Sequence, residues 1–363
     1  MMTAEMISTG AHAASATDRA SAPRVLSFEA AALPEEWSER TDVADLRATA
    51  FFHRLLKFCP LAARSRLDAL RCAWRFLRQS KHYPAIITLG DLSGLLIAFL
   101  NRLFGRRPVH VMYDCLWYGG GALKRRWMRF CIENVDRCVV WSSIECDRYA
   151  EAYGTNVERF IFVPHHHTIK NYSFEIADDG YMFAGGNWSR DYRLLIEAIK
   201  DVPFPCVIAT NRKELLSNVV IPAHVKVVSA TSEEFRQLMA RSTFVVLPLV
   251  ADHLHAPGQQ SIVNAMAMGK PVIATDMQGA RDYIHQGEDG FLVPYPDVQV
   301  LTRAIRHLVD DRQACLRMGQ RARAFALPLT TVACNGAIWR EAVDALQSRP
   351  ELRETSVRTD RTL

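Results

Sequence analysis

The stretch Gly258-Gln-Gln-Ser-Ile-Val-Asn-Ala-Met-Ala-Met-Gly-Lys-Pro-Val-Ile-Ala-Thr-Asp276 decides the fold class. A polar loop leads into an apolar helical pattern, and Gly269 followed by Pro271 predicts the end of that helix. An apolar run then predicts a buried strand that ends at Thr275. The first turn of such a helix has free main-chain N–H groups at the positive end of its dipole. The stretch therefore predicts an α/β unit with an anion site, suited to a diphosphate, where the helix begins.

Short apolar runs alternate with longer helical patterns on both sides of this stretch. The predicted strands cover residues 24–28, 85–89, 109–113, 138–141, 160–163, 181–184, 206–209, 225–228, 244–247 and 271–275. Strands that alternate with helices indicate parallel sheets, so the fold class is α/β. A length of 363 residues suits two domains.

The domain boundaries follow from composition. Residues 166–179 are polar and aperiodic, which predicts a linker. The predicted segments are a disordered tail (1–23), a first Rossmann-like domain (24–165), the linker, a second Rossmann-like domain (180–329), a helix (330–347) and a second disordered tail (348–363).

Three further motifs accompany the opening stretch. They are Tyr181-Met-Phe-Ala-Gly-Gly-Asn-Trp-Ser-Arg-Asp-Tyr192, Gly279-Ala-Arg-Asp-Tyr-Ile284 and Gly287-Glu-Asp-Gly-Phe-Leu-Val-Pro294. In this order and spacing, over roughly residues 180–325, the chain resembles the GT-B glycosyltransferases similar to family 4. The resemblance implies two Rossmann-like domains facing a cleft, with the C-terminal helix crossing back to the first domain. It also implies a nucleotide-diphosphate sugar as donor substrate.

The chain departs from the family pattern at the helix that binds the donor. Family 4 enzymes have two glutamates there with seven residues between them, and Ala256 and Asn264 occupy those positions here. Asn264 retains an amide that can bind a ribose hydroxyl, whereas the Ala256 side chain cannot contact a sugar hydroxyl. The departure raises the possibility of a relative that binds the donor without catalysis.

Nine residues are predicted to bind the donor. They are Gly185, Gly186, Arg190, Ser229, Gly258, Gln259, Gln260, Ser261 and Asn264. Arg190 suits a phosphate because guanidinium matches phosphate geometry. The alternatives are an unliganded βα turn at Gly185 and Gly186, and an ordinary capped helix after Gly258.

Asp114 is the candidate catalytic residue. It follows the predicted strand 109–113, and ligands of open α/β sheets bind at the carboxyl ends of strands. A carboxylate there suits a general base or a positioning group for an acceptor hydroxyl. The alternative is a loop aspartate with local turn bonds, and His110, within the strand, is interpreted as a core histidine.

No metal and no cofactor are predicted. Residues His165, His166 and His167 are adjacent, and on an extended chain neighbouring side chains point in opposite directions, so they should not converge on one ion. His253 and His255 lie close to the donor loop, where contact with the donor sugar and an ordinary loop position are both open. The absence of a GxGxxG motif after a strand disfavours a dinucleotide dehydrogenase.

Basic charge is concentrated in the first half. Residues 46–131 carry 16 Lys and Arg side chains against three acidic ones, whereas the chain as a whole is +5. Such a face suits an anionic membrane surface or an anionic acceptor, and nucleic acid is not expected because no binding motif accompanies it. Residues 64–78 predict an amphipathic helix with an apolar stripe of Leu67, Leu70, Trp74 and Leu77. This stripe either inserts in a membrane or packs on the first sheet.

The favoured function is a metal-independent hexosyltransferase that uses a nucleotide-diphosphate sugar and a glycan or lipid-linked acceptor. We expect a cytoplasmic protein at the inner membrane face, since no signal peptide or membrane span is predicted. The alternatives are a catalytically inactive nucleotide-sugar-binding partner in regulation or assembly, and a sugar epimerase. Nine scattered cysteines without CxxC spacing favour free thiols.

Overall fold

Two six-stranded sheets, each entirely parallel and flanked by helices, make up the fold. The computed structural model describes residues 24–46, 61–171, 173–250, 254–349 and 351–352. The predicted disordered tail 1–23 and His253 lie outside these residues. No helix of the described chain combines the length and apolar character that a membrane span requires.

The first sheet has the strand order β2-β1-β3-β4-β5-β6. Its strands are β1 (Val25–Ser27), β2 (Thr41–Val43), β3 (Ala85–Leu89), β4 (Val109–Tyr113), β5 (Arg137–Val140) and β6 (Phe160–Phe162). Its helices are α1 (Glu35–Ser38), α2 (Leu61–Gln79), α3 (Leu92–Leu103), α4 (Ala122–Ile132) and α5 (Ser143–Tyr153). Strands β3 to β5 are mostly apolar and buried because helices cover both faces of the sheet.

The second sheet has the strand order β12-β11-β10-β7-β8-β9. Its strands are β7 (Met182–Gly185), β8 (Cys206–Ala209), β9 (Val225–Val228), β10 (Phe244–Leu247), β11 (Val272–Thr275) and β12 (Gly290–Val293). Its helices are α6 (Tyr192–Ile199), α7 (Ser232–Ala240), α8 (Gln259–Ala267), α9 (Val298–Asp310) and α10 (Arg312–Ala326). The prediction of two Rossmann-like sheets is therefore confirmed.

The last helix, α11 (Thr331–Gln347), returns to the first sheet. It contacts β3 and β4, and buried Ile338 and Trp339 belong to the same apolar core as Val109. The Trp339 indole Nε1 donates to Thr41 Oγ1 at 2.7 Å. The predicted crossing helix is thus present, and it joins the end of the chain to the first domain. Arg349, which the sequence assigns to the C-terminal tail, forms an ion pair with Asp136.

The face of helix α2 that packs on the core is not the predicted apolar stripe of Leu67, Leu70, Trp74 and Leu77. Leu77 is buried, but Leu67, Leu70 and Trp74 are exposed by 39%, 49% and 52%. The buried side chains of this helix include Ala69, Ala73 and Phe76. The alternative in which all four residues of the stripe pack on the sheet is therefore wrong for three of them. Small alanines let the helix backbone approach its neighbours, which directs the larger residues outward.

Candidate functional site

A cleft between the two sheets forms a cavity of about 680 Å³. It lies at the carboxyl ends of the parallel strands, where ligands of such folds bind. Its volume suits a small organic ligand. The lining residues are Asp114, Leu116, Tyr118, Trp141, His165, Gly186, Asn187, Trp188, Ser189, Arg190, His255, Pro257, Gly258, Gln259, Gln260 and Ser261. The cavity thus brings together Asp114 and six of the nine predicted donor-binding residues.

Helix α8 directs its N-terminus into this cleft. Its N-cap, Gly258, has a φ of 96°, and a Cβ atom there would lie 2.9 Å from a Leu249 methyl group. Only glycine therefore suits the position. A glycine N-cap has no side chain for the first-turn N–H groups, so these groups and the helix dipole are available to an anion.

Gln259 is the first residue of α8 and contributes a buried amide. The side chain is 4% exposed, and its Nε2 has no hydrogen-bond partner among the described residues. A Cβ atom at Gly279 would lie 3.3 Å from that nitrogen, so glycine keeps the space beside it open. A buried donor without a partner is costly, which makes a ligand oxygen a fitting acceptor for this amide.

The turn after β7 presents Arg190 to the same cavity. Its Nε donates to the Gly185 carbonyl at 3.0 Å, and its Nη1 donates to the Trp188 carbonyl at 3.0 Å. The guanidinium is buried, and desolvation lowers its pKa from the usual value. Gly186 has a φ of 128° and lies against the guanidinium, so a side chain at this position is strained. The turn therefore holds a cation in place at the cleft.

Asp114 follows β4 and faces the cavity from the first domain. Its φ of 56° lies in the left-handed region, which is uncommon for a residue other than glycine although Asp is enriched there. Its Oδ1 accepts a hydrogen bond of 2.7 Å from the indole Nε1 of Trp141, which follows β5. The carboxylate is thereby oriented by a neighbouring strand end, and its second oxygen accepts no hydrogen bond from a residue that the structure describes.

A contact between the domains, which the sequence does not predict, shapes the loop before α8. Glu145, in the first turn of α5, is 1% exposed. Its Oε1 accepts from His255 Nδ1 at 2.6 Å and from the Ala256 main-chain N–H at 2.7 Å. The two partners are 110 and 111 residues away, so no local pattern indicates the pairing. Glu145 therefore fixes the loop before α8 and orients the His255 ring, which lines the cavity.

The same helix is bound at its N-terminus by the second domain. Asp282 accepts from Ser142 Oγ at 2.7 Å, from the Ser143 N–H at 2.9 Å and from Ser143 Oγ at 2.6 Å. The adjacent Tyr283 hydroxyl donates to the Trp141 carbonyl at 2.6 Å. A carboxylate at a helix N-terminus is favourable, so Asp282 acts as a cap supplied by the other domain.

The remaining predicted residues lie elsewhere. The Asn264 amide is 5% exposed, and its Oδ1 accepts from the Thr168 N–H at 2.7 Å. Asn264, Ser229 and Gly185 do not line the cavity. Gly185 contributes to it indirectly, because its carbonyl oxygen accepts the hydrogen bond from Arg190 Nε. His110 is a core residue, 1% exposed, as interpreted from the sequence.

The three adjacent histidines 165–167, where the first domain meets the linker, do not alternate in direction. The rings of His165 and His166 stack with centroids 4.9 Å apart, because this segment belongs to no strand. The expectation of opposite directions is therefore wrong. The His167 ring lies apart from them, with its Nε2 3.1 Å from the Leu327 carbonyl. Within the described residues, no group of three or more His, Cys, Asp or Glu side chains is arranged to hold a metal ion.

Comparisons with known proteins agree with this architecture. Residues 181–311 match the sequence model of the family described as glycosyl transferases group 1. The putative glycosyltransferase EpsD of Bacillus subtilis is 37% identical over 67 residues, which is 18% of each chain. The lipopolysaccharide core biosynthesis glycosyltransferase LpsE of Rhizobium meliloti is 31% identical over 67 residues, 18% of this chain and 20% of LpsE. The chain thus spans about a fifth of the length of these relatives.

The solved structures extend the likeness to both halves of the chain. The Anabaena protein Alr3699/HepE in complex with UDP has a TM-score of 0.64 at 17% identity, covering 90% of this chain and 100% of the other. Sucrose-phosphate synthase from Thermosynechococcus elongatus has a TM-score of 0.61 at 18% identity, covering 86% and 83%. The predicted resemblance is therefore confirmed: the chain has the fold of the GT-B glycosyltransferases, and residues 181–311 match the glycosyl transferases group 1 family.

Proposed function

We propose that this protein is a glycosyltransferase that moves a hexose from a nucleotide-diphosphate sugar to an acceptor. The observation that carries the proposal is the composition of the cleft. The N-terminus of α8 and the buried Arg190 provide an anion site on one side, and the Asp114 carboxylate faces it from the other. The binding of UDP by Alr3699/HepE, which shares the fold, supports the same use of the cleft here.

In the proposed reaction the donor diphosphate lies on the first turn of α8. Main-chain N–H groups, the helix dipole and Arg190 stabilise the negative charge that grows on the leaving diphosphate. Asp114 positions the acceptor hydroxyl or takes its proton. Since the protein groups already offset the charge of the diphosphate, we propose a reaction without a metal ion or a cofactor.

His255 is the polar side chain that we propose for the donor sugar. Its Nδ1–H donates to Glu145, so the ring is held with its orientation fixed. The neighbouring Ala256 is 1% exposed, and a Cβ at Gly279 would lie 2.4 Å from its own Cβ. A glutamate side chain would have no room at position 256, and His255 supplies a polar group beside it.

For the acceptor we propose a glycan or a lipid-linked glycan at the inner membrane face. The first domain exposes an apolar patch, defined by Leu67, Leu70, Trp74, Leu103 and Phe104, with exposures between 39% and 64%. Trp74 and Phe104 pack edge to face at 6.3 Å. The same helices also expose Arg66, Arg78 and Arg102, and a combination of apolar and basic side chains is typical of proteins that lie in the headgroup layer.

Co-sedimentation with liposomes tests the membrane proposal. Binding should require anionic lipid and fall as salt increases, because each Lys or Arg near such a surface contributes about 1 kcal/mol. Serine at Lys124, Arg125, Arg126 and Arg129 should weaken it. Serine at Trp74 should also weaken it, whereas serine at Val220, an apolar residue of the second domain that is 90% exposed, should not. Equal recovery in the supernatant with anionic and neutral lipid would favour a soluble acceptor.

A second candidate is a nucleotide-sugar-binding protein without catalysis, acting in regulation or assembly. The buried Ala256 at a position where family 4 enzymes have a glutamate favours it. Purified protein and radiolabelled UDP-, GDP- and ADP-hexoses separate the two candidates. A thermal-shift screen first identifies the donor, since a ligand at 100 times its Kd adds about 2.7 kcal/mol of stability. Transfer or donor hydrolysis supports the enzyme, and stabilisation without turnover supports the binding protein.

A further inference from the structure

A second cavity, of about 380 Å³, opens at the amino-terminal ends of the strands of the first sheet. It is bordered by the end of α3, the residues before β4, β5 and β6, and Arg349, two residues after α11. The second cavity lies on the side of the sheet away from the cleft. His110, near the start of β4, borders the second cavity, whereas Asp114, just after the end of β4, borders the cleft. Four steps along an extended strand place the two residues roughly 13 Å apart. The two cavities are therefore separate sites.

Arginines dominate this second cavity. Five of its lining residues are Arg102, Arg106, Arg107, Arg159 and Arg349. Its two carboxylates already have partners. Asp136 binds Arg349 Nη2 at 2.6 Å and the His110 N–H at 2.9 Å, and Glu133 binds Arg129 at 2.8 Å.

The other four guanidinium groups form no ion pair with any residue that the structure describes. Two of them donate to main-chain carbonyls, Arg106 to Leu77 at 2.7 Å and Arg159 to Val135 at 2.6 Å. These bonds hold the groups in place without neutralising them. The cavity therefore concentrates positive charge that the described chain leaves uncompensated.

Buried polar atoms at the wall of the cavity also lack partners. Asn101 is 4% exposed, and neither its Nδ2 nor its Oδ1 has a hydrogen bond within the described residues. His110 is 1% exposed and its Nδ1 is likewise without a partner there, while its Nε2 lies 2.8 Å from Thr88 Oγ1. Such groups are costly to bury, and both residues line the cavity, so an oxygen atom of a ligand would satisfy the Asn101 Nδ2 donor.

We propose that this cavity binds a ligand through a phosphate group, which the Arg102 and Arg107 guanidinium groups and the Asn101 amide hold. Guanidinium groups bind phosphate oxygens in bidentate fashion, and the Asn101 Nδ2 donates to a third oxygen. The volume accommodates more than the phosphate itself, so the group is carried by a larger molecule. Its carrier is either a soluble phosphate ester or a lipid headgroup. The proposal does not depend on sugar transfer in the cleft.

Calorimetric titration of the full chain with inorganic pyrophosphate, with the cleft first saturated by the nucleotide that the thermal-shift screen selects, tests the site. The double variant Arg102→Ser/Arg107→Ser should bind pyrophosphate at least about tenfold more weakly, since it loses the charge-assisted hydrogen bonds of both guanidinium groups. The matched control is Arg303→Ser/Arg321→Ser, which removes the same charge from exposed positions of α9 and α10 in the second domain. It should bind as the wild type does. Equal affinity in the double variant, the control and the wild type would overturn the proposal.

Asn101→Leu provides a second measurement that does not alter charge. It replaces an unsatisfied amide by an apolar group of similar size, so we expect a higher Tm together with weaker pyrophosphate binding. A higher Tm with unchanged affinity would also overturn the proposal. Vesicles with and without phosphatidic acid then identify the carrier. Loss of vesicle binding in Arg102→Ser/Arg107→Ser identifies a lipid headgroup, and unchanged vesicle binding with loss of pyrophosphate binding identifies a soluble ester.

Discussion

The exchange Gln260→Glu tests the proposed donor site with a single charge. Gln260 is the second residue of α8, is exposed, and lines the cleft. Glutamate has the same size and is favourable in the first turn of a helix, so the fold should not be destabilised. The exchange is preferable to Gly258→Asp, because a side chain at Gly258 would be strained by the φ of 96° and by Leu249.

The expected loss of affinity follows from Coulomb repulsion. A carboxylate in the first turn lies about 6 Å from a phosphate bound at the helix end. At that distance two unit charges repel by about 3 kcal/mol at an effective dielectric constant of about 20, and by about 0.7 kcal/mol in bulk water. Since Gln260 is exposed, we expect a loss of about 1–2 kcal/mol, or roughly 5- to 30-fold in the Kd for UDP. The loss should shrink as salt increases.

Calorimetric titration with UDP, or with the nucleotide that the thermal-shift screen selects, measures this loss. The matched control is Gln313→Glu, which adds the same charge to an exposed glutamine at the second residue of α10. The control should retain the affinity of the wild type, and both variants should retain its Tm. If Gln260→Glu binds the nucleotide as tightly as Gln313→Glu does, the diphosphate does not lie on the first turn of α8.

Three further exchanges test the cleft. Asp114→Asn should reduce turnover by about 10²–10⁴-fold with an unchanged nucleotide Kd, and near-normal turnover would show that Asp114 has no catalytic role. Glu145→Gln should weaken nucleotide binding by roughly tenfold, because it removes the charge that holds His255 and because an amide Nε2 cannot accept from the Trp141 N–H, which Glu145 Oε2 does at 3.1 Å; an unchanged Kd in calorimetry would contradict this. Asp282→Asn should cost about 1.5 kcal/mol and lower the Tm by about 3–6 °C in calorimetry, and an unchanged Tm would show that the contact to Ser143 does not stabilise the closed cleft.

The parts of the fold that are fixed by local pattern could be predicted from the sequence. Strands β3, β4, β8 and β10 have the predicted bounds, because strands that are covered on both faces are continuous apolar runs. Strand β2 was not predicted. It is a short edge strand with half-exposed residues, and contacts from outside it, such as the Arg24–Asp42 ion pair, hold it in place. Edge strands of this kind depend on tertiary partners and leave little pattern in the sequence.

Some residues of the candidate site could likewise be predicted from the sequence, and others could not. Gly258 and Asp114 were predicted because a helix start and a strand end are local features with known positions in a parallel sheet. The bond between Glu145 and His255 was not predicted, because it exists only when the two domains meet. The side chain of Asn264 was assigned to the donor by resemblance, but it binds Thr168 in the linker.

Helix α5 is the element that couples the two sides of the cleft. Its N-terminus is capped by Asp282 of the second domain, and its first turn places Glu145 against the donor loop. Tyr283, next to Asp282, binds the carbonyl of Trp141, whose indole orients Asp114. The Asp114 carboxylate on one side of the cleft and the loop before α8 on the other are therefore positioned by one set of contacts. Separating the domains breaks these bonds together, at about 1 kcal/mol or more each, so the proposed binding of a donor to the loop is energetically linked to the orientation of Asp114 and to the contact between the domains.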